Sequence, residues 1–283
     1  MKVVKVITTS FVPRAVRLST DLSGNPLGYF SHSQNFTARE QIIDLIKYTL
    51  EVESEVDPGC DTDIIFVNNQ IGWSDGDEYL NSINGKKIKR GCIKVIHREN
   101  IGRSFGGYNS AVKIFGSEYD YYIFTEDDIL INGDHYALRG IDAFINCANC
   151  GFVAYQSISE QFRQCSREDS LHAHGGVGLT SYMVLDQVIQ KYENLPFSSS
   201  PADQTYESII ERGEVAFTNV IHKMGYNLIA INEEIKLYEY AYDRMRGISK
   251  RRYASPSERW IYYFKQYLMK FSIVRNFNLI VKR

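Results

Sequence analysis

The chain has 283 residues, 44% of them hydrophobic and 23% charged, and a formal charge of −2, a balance that excludes disordered and fibrous classes and suits one sizeable α/β domain with an appendage. The charge is sorted along the chain: residues 243–283 hold eleven Lys and Arg against two acids, +9, and leave residues 1–242 at −11, so the tail is a separate electrostatic object. No apolar run reaches 18 residues, which leaves no candidate for a spanning helix, and no nucleic-acid partner is expected.

The first predicted element is Val3–Ile7, a short β-branched apolar run that reads as a buried strand and ends in Thr8, Thr9 and Ser10. Lys2 and Lys5 interrupt the apolar stretch a signal peptide needs. With five cysteines, Cys60, Cys92, Cys147, Cys150 and Cys165, an odd count, the expected home is the cytoplasm. Cys147 and Cys150 have the spacing of half a zinc site, but no second pair follows, and free thiols are the plainer reading. Residues 14–37 read as a long loop. Thr37-Ala-Arg-Glu40 is a capping box that opens a helix over residues 39–53. Strands follow at Asp63–Val67, closed by Asn68 and Asn69, and at Ile93–Ile96. Ser110–Phe115 lies in a helix, and Tyr121–Thr125 is the fourth strand.

That fourth strand poses the central question. It ends in Glu126, Asp127 and Asp128 and then resumes as Ile129-Leu130-Ile131. Three adjacent carboxylates at the end of a buried strand are costly unless a positive charge sits among them. They supply hard oxygen ligands for Mg²⁺ or Mn²⁺; the alternative reading is the acidic first turn of a helix. The second half is less regular. Gly151–Gln156 and Val177–Val184 read as strands around a loop, 158–176. Asp186–Tyr192 is a helix and 196–204 a loop. Helices Gln204–Arg212 and Ala216–Met224 precede the strand Asn227–Ile231. The alternation of strands and helices predicts a mainly parallel sheet covered on both faces, with ligands beyond the carboxyl ends of its strands.

The ordered set VITTS, DIIFVNN, ENIGRSFGGYNSA and YDYYIFTEDD resembles the nucleotide-sugar half of the GT-A (Rossmann-like) glycosyltransferases, especially family 2-like bacterial enzymes. The resemblance implies a metal-dependent transferase whose catalytic domain spans residues 1–242, with a nucleotide-sugar half (1–130) and an acceptor half (131–242). Glu126-Asp127-Asp128 matches the DxD-type triplet: Asp128 is the expected ligand of Mn²⁺ or Mg²⁺, and Asp127 is placed for ribose or the metal's waters. Thr8, Thr9, Asn68, Asn69, Asn100, Gly102, Arg103 and Asn109 are carried over as binding the sugar donor, a UDP-sugar by preference. Asn68 and Asn69 stand where the family usually has Asp, and one extra residue separates Gly102 from Asn109.

Further on, GEVAFTNVIHKMGYNLIAI resembles the segment that carries the family's catalytic base, which makes Glu214 the candidate to deprotonate the acceptor hydroxyl in an inverting transfer. Glu211 and Asp203 are near enough in sequence to compete, and an ordinary acid near a helix N-terminus is the bland alternative. His172 and His174 alternate on an extended segment, where His174 is a second candidate metal ligand. His97 and His222 read as structural. Within the basic tail, residues 258–283 form an amphipathic, aromatic helical extension that either packs on the domain or lies in a membrane interface. The implied partners are a nucleotide-sugar and a glycan or lipid-linked glycan acceptor, in bacterial surface polysaccharide or lipopolysaccharide synthesis. The expected location is the cytoplasm, at the inner face of the cell membrane if the tail binds lipid. Two rival readings are a nucleotidyltransferase of similar fold, which normally carries a Gly-rich basic loop after its first strand, and a non-catalytic sugar-binding module.

Overall fold

The structure, a computed structural model, describes residues 1–12, 18–20, 26–30, 39–131, 133–155, 177–199, 210–231 and 238–240. Its centre is an eight-stranded sheet. Strand β1 (Val3–Thr9) lies between β4 (Thr62–Gln70) and β7 (Tyr121–Glu126), both parallel to it, and β6 (Gly91–Glu99) continues the parallel set beyond β4. Beyond β7 come β10 (Gly178–Ser181), antiparallel, then β9 (Cys150–Ala154) and β11 (Asn227–Ala230); β5 (Lys87–Ile88) closes the opposite edge. Two small antiparallel pairs lie outside it, β2 (Leu18–Thr20) with β3 (Pro26–Phe30), and β8 (Ile129–Ile131) with β12 (Tyr238–Tyr240). The expected α/β class with a mainly parallel sheet is what the chain forms.

Apolar side chains of β1 and β4 alternate between two cores. Val4, Val6, Ile65 and Val67 pack against α3 (Arg103–Phe115), while Ile7, Ile64 and Phe66 pack against α1 (Glu40–Glu55) and α2 (Ser74–Ile83). A third cluster joins β8, β9 and α4 (Tyr136–Asn146). Strands buried on both faces read as continuous apolar runs, which is why β1, β4 and β7 are visible in the sequence. Helix α1 has Arg39 at its N-cap and no side-chain capping bond; Thr37 lies outside the described residues, as do 14–17, 21–25, 31–38, 156–176, the start of the helix expected at Gln204–Arg212, and the whole tail from residue 241. Among the described residues, no helix is long and apolar enough to cross a membrane.

One expectation is corrected. Val177–Val184 is not a single strand: β10 stops at Ser181, whose Oγ accepts a bond from the Val184 amide at 3.3 Å and caps α5 (Tyr182–Tyr192). The apolar run continues through the change from strand to helix because both elements bury one face, so composition alone hides the boundary.

Lys5 is the exception in β1. It is 1% exposed and donates to Glu53, itself 4% exposed, and to the Ile131 carbonyl at 2.9 Å. Its Nζ lies 3.9 Å from the centre of the Tyr136 ring, and the Tyr136 hydroxyl donates to the other Glu53 oxygen at 3.1 Å. Burial pushes the Lys5 pKa down and the Glu53 carboxylate opposes that shift. Removing one partner strands the other charge in the core. Lys5→Met is expected to cost about 3–5 kcal/mol in urea unfolding, whereas Lys5→Met with Glu53→Met is expected to be close to neutral; a single variant as stable as the wild type contradicts this.

Candidate active site

The carboxyl ends of β1, β4, β6 and β7 bring the sequence candidates to one edge of the sheet. At β1, Thr8 and Thr9 are both buried. The Thr9 hydroxyl donates to Asp127 Oδ2 at 2.6 Å, and the Asp127 amide donates to the Thr8 carbonyl at 3.1 Å. One oxygen of Asp127 is therefore committed to β1. Asp127 and Asp128 are each 3% exposed, and Glu126 is half-buried, accepting a short hydrogen bond from Ser104.

At β4 the two asparagines face opposite ways, as the strand pleat requires. Asn68 turns toward α2: its amide donates to Asp77 at 2.5 Å and lies 3.0 Å from His97 Nδ1. Because the Asp77 carboxylate accepts only, the orientation of the Asn68 amide is fixed. His97 reaches Asn81 with its other nitrogen at 2.9 Å, so it is built into this network. Asn69 turns toward α3 and accepts a short bond from Arg98, whose second nitrogen donates to the Ile101 carbonyl at 2.7 Å. The Oδ1 atoms of Asn68 and Asn100 are buried without a hydrogen-bond partner, and such acceptors suit an N–H or O–H brought in by a ligand.

Asn100, Ile101 and Gly102 form the turn from β6 into α3. Gly102 has φ 71°, and a Cβ there would lie 2.3 Å from the Phe197 ring, so only glycine fits. Arg103 follows with φ 42°, an unusual conformation for a side-chain-bearing residue, and is exposed. Gly106 admits the approach of the Ile101 carbonyl, which a Cβ would meet at 2.0 Å. Asn109, expected at the sugar donor, spends its amide elsewhere: Nδ2 donates to Asn194 at 3.1 Å and Oδ1 accepts from the Leu195 amide at 2.9 Å. It ties α3 to the segment after α5.

Two groups complete the edge. A π-helical turn, Ile210–Val215, leads into α6 (Ala216–Lys223) and carries Glu214. The residue keeps some solvent-accessible surface, but its carboxyl is surrounded by protein, and burial together with the Glu126 carboxylate pushes its pKa up to about 8. Tyr108, fully buried on α3, is the residue that sequence reasoning missed. Burial first, then Glu126, with Glu214 and Asp128 adding, raises its pKa well above the ordinary phenol value. Tyr108 thus stays a neutral phenol near carboxylates from two parts of the chain, the 126–128 triplet and Glu214. Its place directly before Asn109 in the matched segment is the only signal the sequence holds for it. His172, His174 and Asp203 lie outside the described residues, and of Glu211 only the backbone is described.

Among the described residues, no group of three or more His, Cys, Asp or Glu side chains is arranged to hold a metal by itself. The chemistry of the residues still fits a hard cation. Asp127 and Asp128 are buried beside Glu126, and Mg²⁺-type ions typically take one or two protein carboxylates plus substrate phosphates.

No protein-family model matches the sequence, and no curated protein matches it. Solved structures resemble the course of the chain. A mannosyltransferase from Pyrobaculum calidifontis, solved with GDP-Man and Mn²⁺, is 12% identical with a TM-score of 0.47; the likeness covers 82% of this chain but only 55% of that one. A galactosyltransferase, LgtC, in complex with donor and acceptor sugar analogs, is 9% identical with a TM-score of 0.40, covering 92% of this chain and 82% of that one. A 4-diphosphocytidyl-2C-methyl-D-erythritol synthase from Anaerococcus prevotii is 9% identical with a TM-score of 0.38, covering 81% and 87%. At such identities and scores these likenesses carry no functional weight.

The raised Glu214 carboxyl gives a stability test. The folded chain holds its proton up to about pH 8 while the unfolded chain releases it near 4.5, so stability falls as pH rises through that window. In metal-free protein, Glu214→Gln is expected to gain melting temperature relative to wild type at pH 9 compared with pH 5. Parallel melting curves at both pH values contradict this.

Proposed function

We propose that the protein is a GT-A-type glycosyltransferase that moves a sugar from a nucleoside diphosphate donor to a hydroxyl of a glycan acceptor, with inversion at the anomeric carbon. The observation that carries this reading is the carboxylate triplet at the exit of β7, with Asp127 and Asp128 buried and Asp127 held by Thr9, and the separate, half-buried Glu214 near Glu126. Two carboxyl environments are needed, one for the leaving diphosphate and one for the incoming hydroxyl, and the chain supplies both.

In this reading Asp128 holds Mn²⁺ or Mg²⁺, with Asp127 fixed by Thr9 beside it. The cation, when bound, neutralises the diphosphate and eases its departure. The Asn68 and Asn100 acceptors, buried and unsatisfied, meet polar hydrogens of the nucleotide. The turn at Asn100–Gly102, held by Arg98 from β6, lets backbone approach the sugar donor. Glu214, as carboxylate, takes the proton of the acceptor hydroxyl while that oxygen bonds to the anomeric carbon and the bond to the diphosphate breaks.

A UDP-sugar, a lipid-linked glycan acceptor, a role in bacterial surface polysaccharide or lipopolysaccharide assembly and contact of residues 258–283 with the inner membrane face belong to the same proposal. They are supported by the motif resemblance and by the +9 charge from residue 243 onward.

The test is product release from a panel of nucleotide-sugars with Mn²⁺. Nucleoside diphosphate is the expected product, abolished by chelator and in Asp128→Ala, with kcat lowered by roughly 10²–10⁴-fold in Glu214→Gln. Pyrophosphate release from nucleotide triphosphate and sugar phosphate would instead establish the nucleotidyltransferase reading, and binding without turnover, indifferent to chelator, a sugar-binding module.

A further inference from the structure

We infer that Lys5, held by Glu53, is a positioning residue for the carboxylate turn: it fixes the far end of the segment whose near end is fixed by Thr9, and so sets where Asp128 stands. The inference rests on the transferase reading above and goes beyond it to a residue remote from the reacting atoms.

The geometry is a two-point clamp. Side chains of a strand alternate, so Lys5 and Thr9, four residues apart on β1, point to the same face and stand about 13 Å from each other. Thr9 bonds to Asp127 at 2.6 Å and Lys5 bonds to the Ile131 carbonyl at 2.9 Å. Asp127 and Ile131 are also four residues apart. Residues 127–131 therefore run back along the face of β1 with a tether at each end, and Asp128 is the first residue inside the clamp. This answers why an apolar triplet follows three carboxylates: Ile129, Leu130 and Ile131 are 8%, 1% and 1% exposed because they lie on the sheet, as β8, rather than continuing β7.

A lysine is a costly tether in such a place unless its charge is met, and Glu53 from α1 meets it, with Tyr136 completing the partner's hydrogen bonding. Tyr136 is placed in turn by Tyr155, whose hydroxyl donates to the Tyr136 carbonyl at 2.9 Å. An apolar residue at position 5 would pack equally well but would leave the Ile131 carbonyl ungripped. Groups that orient a metal ligand from behind typically change metal affinity by 10–100-fold when lost.

The test uses the full chain and Mn²⁺ alone or with nucleoside diphosphate, read by electron paramagnetic resonance, beside melting temperature. Lys5→Met with Glu53→Met removes the tether without stranding a charge. It is expected to fold, with a melting temperature near that of wild type, and to bind Mn²⁺ at least about tenfold more weakly. Tyr136→Phe, which disturbs Glu53 but leaves the Lys5 bond to Ile131, is expected to bind Mn²⁺ as wild type does. Should the double variant not fold, Lys5→Met with Glu53→Gln carries the same expectation. Wild type that binds Mn²⁺ beside a folded double variant that binds it equally well overturns this inference alone; wild type that binds none overturns the transferase reading and this inference with it.

Discussion

Buried negative charge at the exit of β7 is the constraint on which the rest of this structure depends. Among the described residues, no lysine or arginine forms an ion pair with Glu126 or Glu214. Neutral hydroxyls meet two of the carboxylates instead: Thr9 donates to Asp127 and Ser104 to Glu126. Such donors orient a carboxylate without cancelling it. A cation bound together with a diphosphate would act on this cluster, and the carboxyl of Glu214, raised by burial first and then by Glu126, records how closely acids crowd there in the free protein.

The surrounding architecture serves that edge. Parallel strands β1, β4, β6 and β7 end together there, and α2 and α3, which follow β4 and β6, begin there. Lys5 shows how far the support extends: a charge is accepted in the middle of the central strand, and α1 contributes Glu53 to meet it. On the other side, Arg98 bridges β6, β4 and the turn before α3, while Asn109 fastens α3 to the segment beyond α5. Asn109 thus contributes to the site through the placement of α3.

Much of the fold was legible because its central strands are buried on both faces and so read as unbroken apolar runs. Their ends were legible too, since Thr8, Asn68 and Glu126 are polar residues set directly against those runs. The residues that sequence reasoning misplaced share a different property. Lys5 looked like an interruption of an apolar stretch because its partner, Glu53, is 48 residues away. Tyr108 looked like one tyrosine among twenty, and only the fold brings it near carboxylates from two segments. Ser181 hid a strand-to-helix change inside an apolar run. In each case the deciding interaction is tertiary, and a single sequence records only one side of it. The expected basic helix over 258–283 and His174 lie outside the described residues.

The most direct measurement is the anomalous scattering of crystals grown with Mn²⁺ and a nucleoside diphosphate. The account predicts a single strong peak between the Asp128 carboxylate and the two phosphates, absent from Asp128→Ala crystals grown in the same way. A nucleotide seated at this edge with Asp128 turned away from it, or manganese bound elsewhere on the chain, would contradict the account.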